Sequence, residues 1–198
     1  MRKSLFVLWL LTALAGHAQD FNDSLERSRN TITQDAMIAL GSFAIVNIAS
    51  GFIVAGQTHG VAHYAWSMNG YWNLVNLGIA SMGYLGATRA LHRTWTLAQN
   101  ERAQLSVEKT YVLNFGLDLV YITGGFYLNE RGNSESNLTS RDQYRGYGTS
   151  ISIQGGFLLL LDAAMIALHH HNSIRINHKL QGLSLRAAPF GMSLCYSF

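Results

Sequence analysis

Four apolar stretches of about twenty residues divide this chain, and no proline interrupts any of them. They run from Ala36 to Gly56, Met68 to Leu91, Val107 to Leu128 and Tyr147 to Leu168. At a rise of about 1.5 Å per residue, roughly 20 residues of helix cross the hydrocarbon layer of a bilayer. Pro189 is the one proline and lies beyond all four, so nothing breaks a helix within them. Lys and Arg are absent from their central stretches. Charged residues make up 13% of the 198, against about 25% in a soluble globular domain. The pattern predicts a single all-α domain, a four-helix transmembrane bundle whose partner is the lipid bilayer.

The chain begins with Arg2 and Lys3, an apolar run from Leu5 to Leu14, and the small-residue sequence "AGHAQ". These are the n-region, h-region and cleavage site of a signal peptide covering residues 1–18. Its removal takes two of the 14 basic residues and lowers the net charge from +3 to +1, leaving no basic excess to argue for nucleic acid. Residues 19–34 read as a polar, amphipathic segment, 35–171 as the membrane domain and 172–198 as an extended tail. In that tail Met192, Leu194, Tyr196 and Phe198 alternate with small or polar residues, a strand pattern. Cys195 is the only cysteine, which excludes an internal disulfide and a Cys-based zinc site.

The alternating tail, together with "YVLNFGLDL", also admits a second architecture, a small outer-membrane β-barrel. The unbroken apolar runs Phe43–Val46 and Phe157–Leu161 argue for helices instead. The charges leave the membrane's identity open. With a cleaved signal peptide and four crossings, Arg131, Arg141 and Arg145 would lie in the inner loops, and most remaining basic residues would lie outside, against the usual bias.

Within the second stretch, Asn69, Asn73 and Asn76 share one helical face, which continues through Ala80, Gly83 and Ala87. Large residues such as Trp72, Leu74 and Val75 occupy the other sectors. Small and amide-bearing residues are what membrane helices present to one another. In the third stretch Asn114, Asp118, Tyr121 and Gly125 share a face in the same way. A mid-membrane Asp costs about 2.5–3.5 kcal/mol, so Asp118 should point inward to a partner. The expected partners are the asparagines of the second stretch, Asn47, Gln154 or a tyrosine hydroxyl. Asp162 falls on a face with Gly155 and Leu158, away from Gln154, and reads as structural.

His92 and the run His169–His171 end the second and fourth stretches. Clustered imidazoles are weak candidates for a metal site; a histidine run at a helix C-terminus also interacts favourably with the helix dipole. No metal site and no cofactor is expected. No phosphate loop, HExxH motif, nucleophile elbow or Ser–His pairing occurs, so no catalytic residue is assigned and the chain does not read as an enzyme.

"MNGYWNLVNLGIASMGYLGA", "EKTYVLNFGLDLVYITGG" and "GYGTSISIQGGFLLLLDAAM" together resemble an uncharacterised family, a domain of unknown function. Its members are small exported four-helix membrane proteins of Bacteroidota-type Gram-negative bacteria. The resemblance covers residues 32–172, with Asn69, Trp72, Asn73, Asn76, Asn114, Asp118, Tyr121, Gln154, Gly155 and Asp162 at matching positions. It implies the architecture and carries no activity. The expectation is a non-enzymatic structural or assembly component of the bacterial envelope, self-associating or joined to another membrane protein. The alternative is a small proton- or cation-coupled transporter using Asp118.

Overall fold

The computed structural model describes the backbone of residues 2–181, 183–188 and 191–196, and the side chains of residues 22–174. Four helices carry the chain: α1 (Arg2–Ala55), α2 (Gly60–Ala90), α3 (Leu97–Asn133) and α4 (Leu138–Gln181). A two-stranded antiparallel hairpin follows, β1 (Leu183–Ala188) and β2 (Gly191–Tyr196), with Leu183 opposite Tyr196 and Leu185 opposite Leu194. The signal peptide expected at 1–18 lies outside the residues whose side chains are described; the backbone there is helical and continuous with α1.

Two expectations are corrected, and a third is met in part. The β-barrel is overturned by four long helices. "YVLNFGLDL" alternates in composition, yet Tyr111 and Asp118, seven apart, are buried while Leu113 and Leu117 face out, which is helical geometry. The helices also outrun the apolar stretches. α2 starts at Gly60 rather than Met68, α3 at Leu97 rather than Val107, and α4 reaches Gln181, taking in the first ten residues assigned to an extended tail. Polar residues of good helical propensity extend a helix that apolar packing has already nucleated. At α3 a capping box marks the start: Gln99 N donates to Thr96 Oγ1 at 3.3 Å, and Thr96 N to Gln99 Oε1 at 2.9 Å. Finally, only α1 (from Asn22) and α4 (to Ile174) are long and apolar enough to cross a membrane among the described residues. The asparagines of α2 and the charges of α3 lower the hydropathy of the other two.

The helices pack in the order α1–α2–α4–α3. Consecutive helices α1 and α2 form one hairpin, and α3 and α4 a second. The hairpins meet chiefly along α2 and α4, while α2 and α3 make no close backbone contact. Gly51 of α1 lies against Gly70 of α2 so closely that a Cβ on Gly51 would stand 2.7 Å from the Gly70 nitrogen. Against α4, α3 buries a seven-residue repeat, Gln104, Tyr111, Asp118, Gly125 and Gly132. α4 answers with Gly148, Gly155, Asp162 and His169 at the same period. Such a repeat keeps one seam on the partner along the whole length of a helix pair.

The interior is unusually polar. Asn73 and His169 are wholly inaccessible and Gln154 nearly so, whereas Met82 is 70% exposed and Leu160 73%. Phe43 of α1 stacks on Phe157 of α4 with centroids 3.5 Å apart. A small apolar cluster around Met37, Leu40, Ala80 and Met165 fills the rest of the centre.

Candidate functional site

The α3 and α4 seams each bring one carboxylic acid to the middle of the bundle. Asp118 and Asp162 are 3% and 6% exposed, and they stand next to each other on one cavity wall. Asp118 Oδ2 is buried and accepts no bond from any N–H or hydroxyl. The neighbour of Asp118 is thus not one of the asparagines, the glutamine or a tyrosine that its sequence position suggested. It is the acid that the pattern on α4 had set apart.

Both carboxyls line a cavity of about 440 Å³. Its walls are Leu40 of α1, Ile79 of α2, Leu117 of α3 and Leu158 of α4. Asn76, Asn114, Tyr111 and Tyr121 add polar groups, and no Lys or Arg lines it. Tyr121 meets Trp72 edge-on at 4.8 Å, bridging α2 and α3 where their backbones stand apart.

The amides form a second, separate cluster. Asn69 Nδ2 donates to Asn47 Oδ1 at 3.1 Å and to its carbonyl at 3.2 Å. Gln154 Nε2 donates to Asn69 Oδ1. Asn73 Nδ2 donates to the Asn69 carbonyl at 2.8 Å, and Asn76 Nδ2 to Asn73 Oδ1 at 3.3 Å. Asn69 therefore ties α1, α2 and α4 together, and the chain of amides ends at Asn76 on the cavity wall. Asn114, also on that wall, is half-buried.

The histidines separate. His169 turns inward, stacks on Tyr111 with centroids 5.4 Å apart, and receives Gln104 Nε2 at its carbonyl at 3.0 Å. His92, His170 and His171 are exposed. The run does not end its helix, since α4 continues ten residues further, so the expected dipole interaction is corrected. Among the described residues no group of three metal-ligating side chains comes together.

A third polar cluster, unforeseen in the sequence, joins the middle of α1 to α3 and the later part of α4. Arg29, only 3% exposed, donates from Nη1 to Asn100 Oδ1 at 2.8 Å and lies 5.3 Å from the Trp95 ring centre. Asn100 Nδ2 donates to Asn22 Oδ1 at 2.7 Å, and Ser28 Oγ to Asn172 Oδ1 at 2.9 Å. Desolvation lowers the pKa of Arg29 and raises that of neighbouring Glu26, the latter partly offset by the Arg29 charge. The signal was present: Asn22, Glu26, Arg29 and Thr33 follow a spacing of three and four onto the face that later carries Met37 and Leu40.

The model of a family of unknown function, DUF6992, matches residues 39–163. The chain belongs to this family. The DUF6992 match takes in the amide cluster and both carboxyls, and stops short of Arg29 and His169. No curated protein and no solved structure matches the chain.

Proposed function

We propose that this DUF6992 protein is an integral membrane bundle of the bacterial envelope that acts as a small proton- or cation-coupled carrier and not as an enzyme. The membrane reading is supported by polarity turned inside out: amides and acids fill the centre while leucines, isoleucines and methionines cover the outside. The apolar part of each helix lies in lipid, and the Arg29 cluster lies beyond it, at the membrane surface. The observation that carries the carrier reading is the Asp118–Asp162 pair in a cavity that no Lys or Arg lines. Intramembrane acids are costly to keep and typically mark ion or proton paths. Two adjacent carboxyls can take up and release a proton, or exchange it for a cation.

The test is flux in liposomes loaded with a pH-sensitive dye. Wild-type protein should collapse an imposed proton or cation gradient, and Asp118→Asn should abolish the flux while the far-UV circular dichroism stays helical. Flux indifferent to that substitution overturns the carrier reading.

The Asn69 hub favours a second reading, a structural or assembly component that associates with itself or with another membrane protein. Interhelical amide bonds set register without any need for transport. In that case a well-folded Asp118→Asn protein keeps its activity in the cell.

A further inference from the structure

The cavity at the acid pair is open on one side, and that side faces outward between two helices. The backbones of α2 and α3 stand apart, with Trp72 and Tyr121 meeting across the gap. The residues flanking the gap, Val75 and Ile79 of α2 and Leu117 of α3, line the cavity and are 63%, 47% and 49% exposed. At the back stand Asp118 and Asp162, nearly inaccessible, with Asp118 Oδ2 taking no bond from any N–H or hydroxyl. One channel, walled largely by aliphatic and aromatic side chains, thus leads from the lipid-facing surface to two carboxyls.

We infer that this cavity is a lateral binding site for a lipid-soluble amine: a small amphiphile with one ammonium head and a compact apolar body. The inference rests on the membrane reading above and adds the class of ligand. Charge decides the head group. Asp118 and Asp162 are the only formally charged side chains lining the cavity, so an anion would meet carboxyls alone, whereas an ammonium donates to both. Size decides the body. About 440 Å³ falls within the range of small-molecule sites, roughly 300–1,000 Å³, and is too small to seat a further transmembrane helix. Leu40, Ile79, Leu117 and Leu158 supply the apolar wall, and the polar groups that join them, Asn76, Asn114, Tyr111 and Tyr121, carry no formal charge. The amine enters sideways from the bilayer, head first, with its apolar part against these leucines and Ile79.

The experiment uses the full chain in phosphatidylcholine nanodiscs and dansylcadaverine, a fluorescent amine of suitable size. Trp72 lines the cavity and serves as the energy donor; Trp72→Phe identifies its share of the signal. Saturable binding is expected, weakened at least tenfold when the probe's amine is acetylated, and lost in the Asp118→Asn/Asp162→Asn protein. Leu117→Trp narrows the mouth without touching the acids and should weaken binding about tenfold, which keeps the test decisive if the double variant does not fold. Equal binding of amine and acetylated probe, or binding indifferent to both variants, overturns the inference. Asp118-dependent flux without probe binding overturns it too and leaves the carrier reading standing. Saturable, Asp118-dependent binding without any flux supports the site and removes the carrier.

Discussion

Gly125 of α3 and Gly148 of α4 lie backbone to backbone: a Cβ on Gly125 would stand 2.6 Å from the Gly148 carbonyl oxygen. Gly124, one residue earlier, has nothing within 4 Å. Gly125→Ala should therefore cost about 1–3 kcal/mol by forcing the two helices apart. Gly124→Ala should be neutral, or stabilising by about 0.5–1 kcal/mol through helix propensity. Reversible unfolding in mixed micelles measures both, and equal effects would refute the close seam.

The amide hub gives a second prediction. Asn69 bonds to α1 and α4 at once, and Asn73 leans on it. Asn69→Ala should cost about 1–2 kcal/mol, since interhelical hydrogen bonds in membranes average about 0.6 and reach about 1.7 kcal/mol each. Asn114→Ala, on the cavity wall, should cost no more than about 0.6 kcal/mol. A smaller loss at Asn69 than at Asn114 would contradict the network.

At the acid pair, shape and chemistry separate. Asp162→Asn places an amide donor beside Asp118 and should melt within a few degrees of wild type. Asp162→Leu leaves the Asp118 carboxyl buried without a partner and should cost about 1–3 kcal/mol. Identical melting of the two variants would mean that the carboxyls do not depend on each other.

Glu26 supplies a pH dependence outside the membrane. Burial raises its pKa above the ordinary 4.5, with Arg29 opposing the shift. Folding therefore favours the protonated side chain. That contribution is fully present below pH 4.5 and is lost as pH rises through the raised value. Glu26→Gln should lack this loss and match or exceed wild-type stability at neutral pH. A wild-type advantage that grows with pH would reverse the sign and refute it.

The packing face of α2 was legible from spacing alone: Asn69, Asn73, Asn76, Ala80 and Ala87 are all buried. So was the inward direction of Asp118. Its pairing with Asp162 was not, and the reason is specific. Spacing was read as one buried face per helix, but α4 sits between two neighbours. Gln154 faces α2 while Gly155 and Asp162 face α3, so two sectors of α4 are internal, and the one holding Asp162 was set apart because it does not hold Gln154. Arg29 was missed for a similar reason. Its charge suggested a surface position, and only the fold brings Asn100 and Trp95 to it. Relative helix register is a property of the pair, and neither sequence segment carries it by itself.

The separation of the α2 and α3 backbones has a mechanical consequence. The two hairpins are joined chiefly along α2 and α4, with the Asn69–Gln154 bond on that line, and the gap lies on the far side. Two stiff bodies fastened along one edge behave like the covers of a book. A rotation of a few degrees about the spine hardly disturbs the bonds there, yet it changes the fore-edge, where Leu117 stands across from Ile79, more than any other part of the molecule.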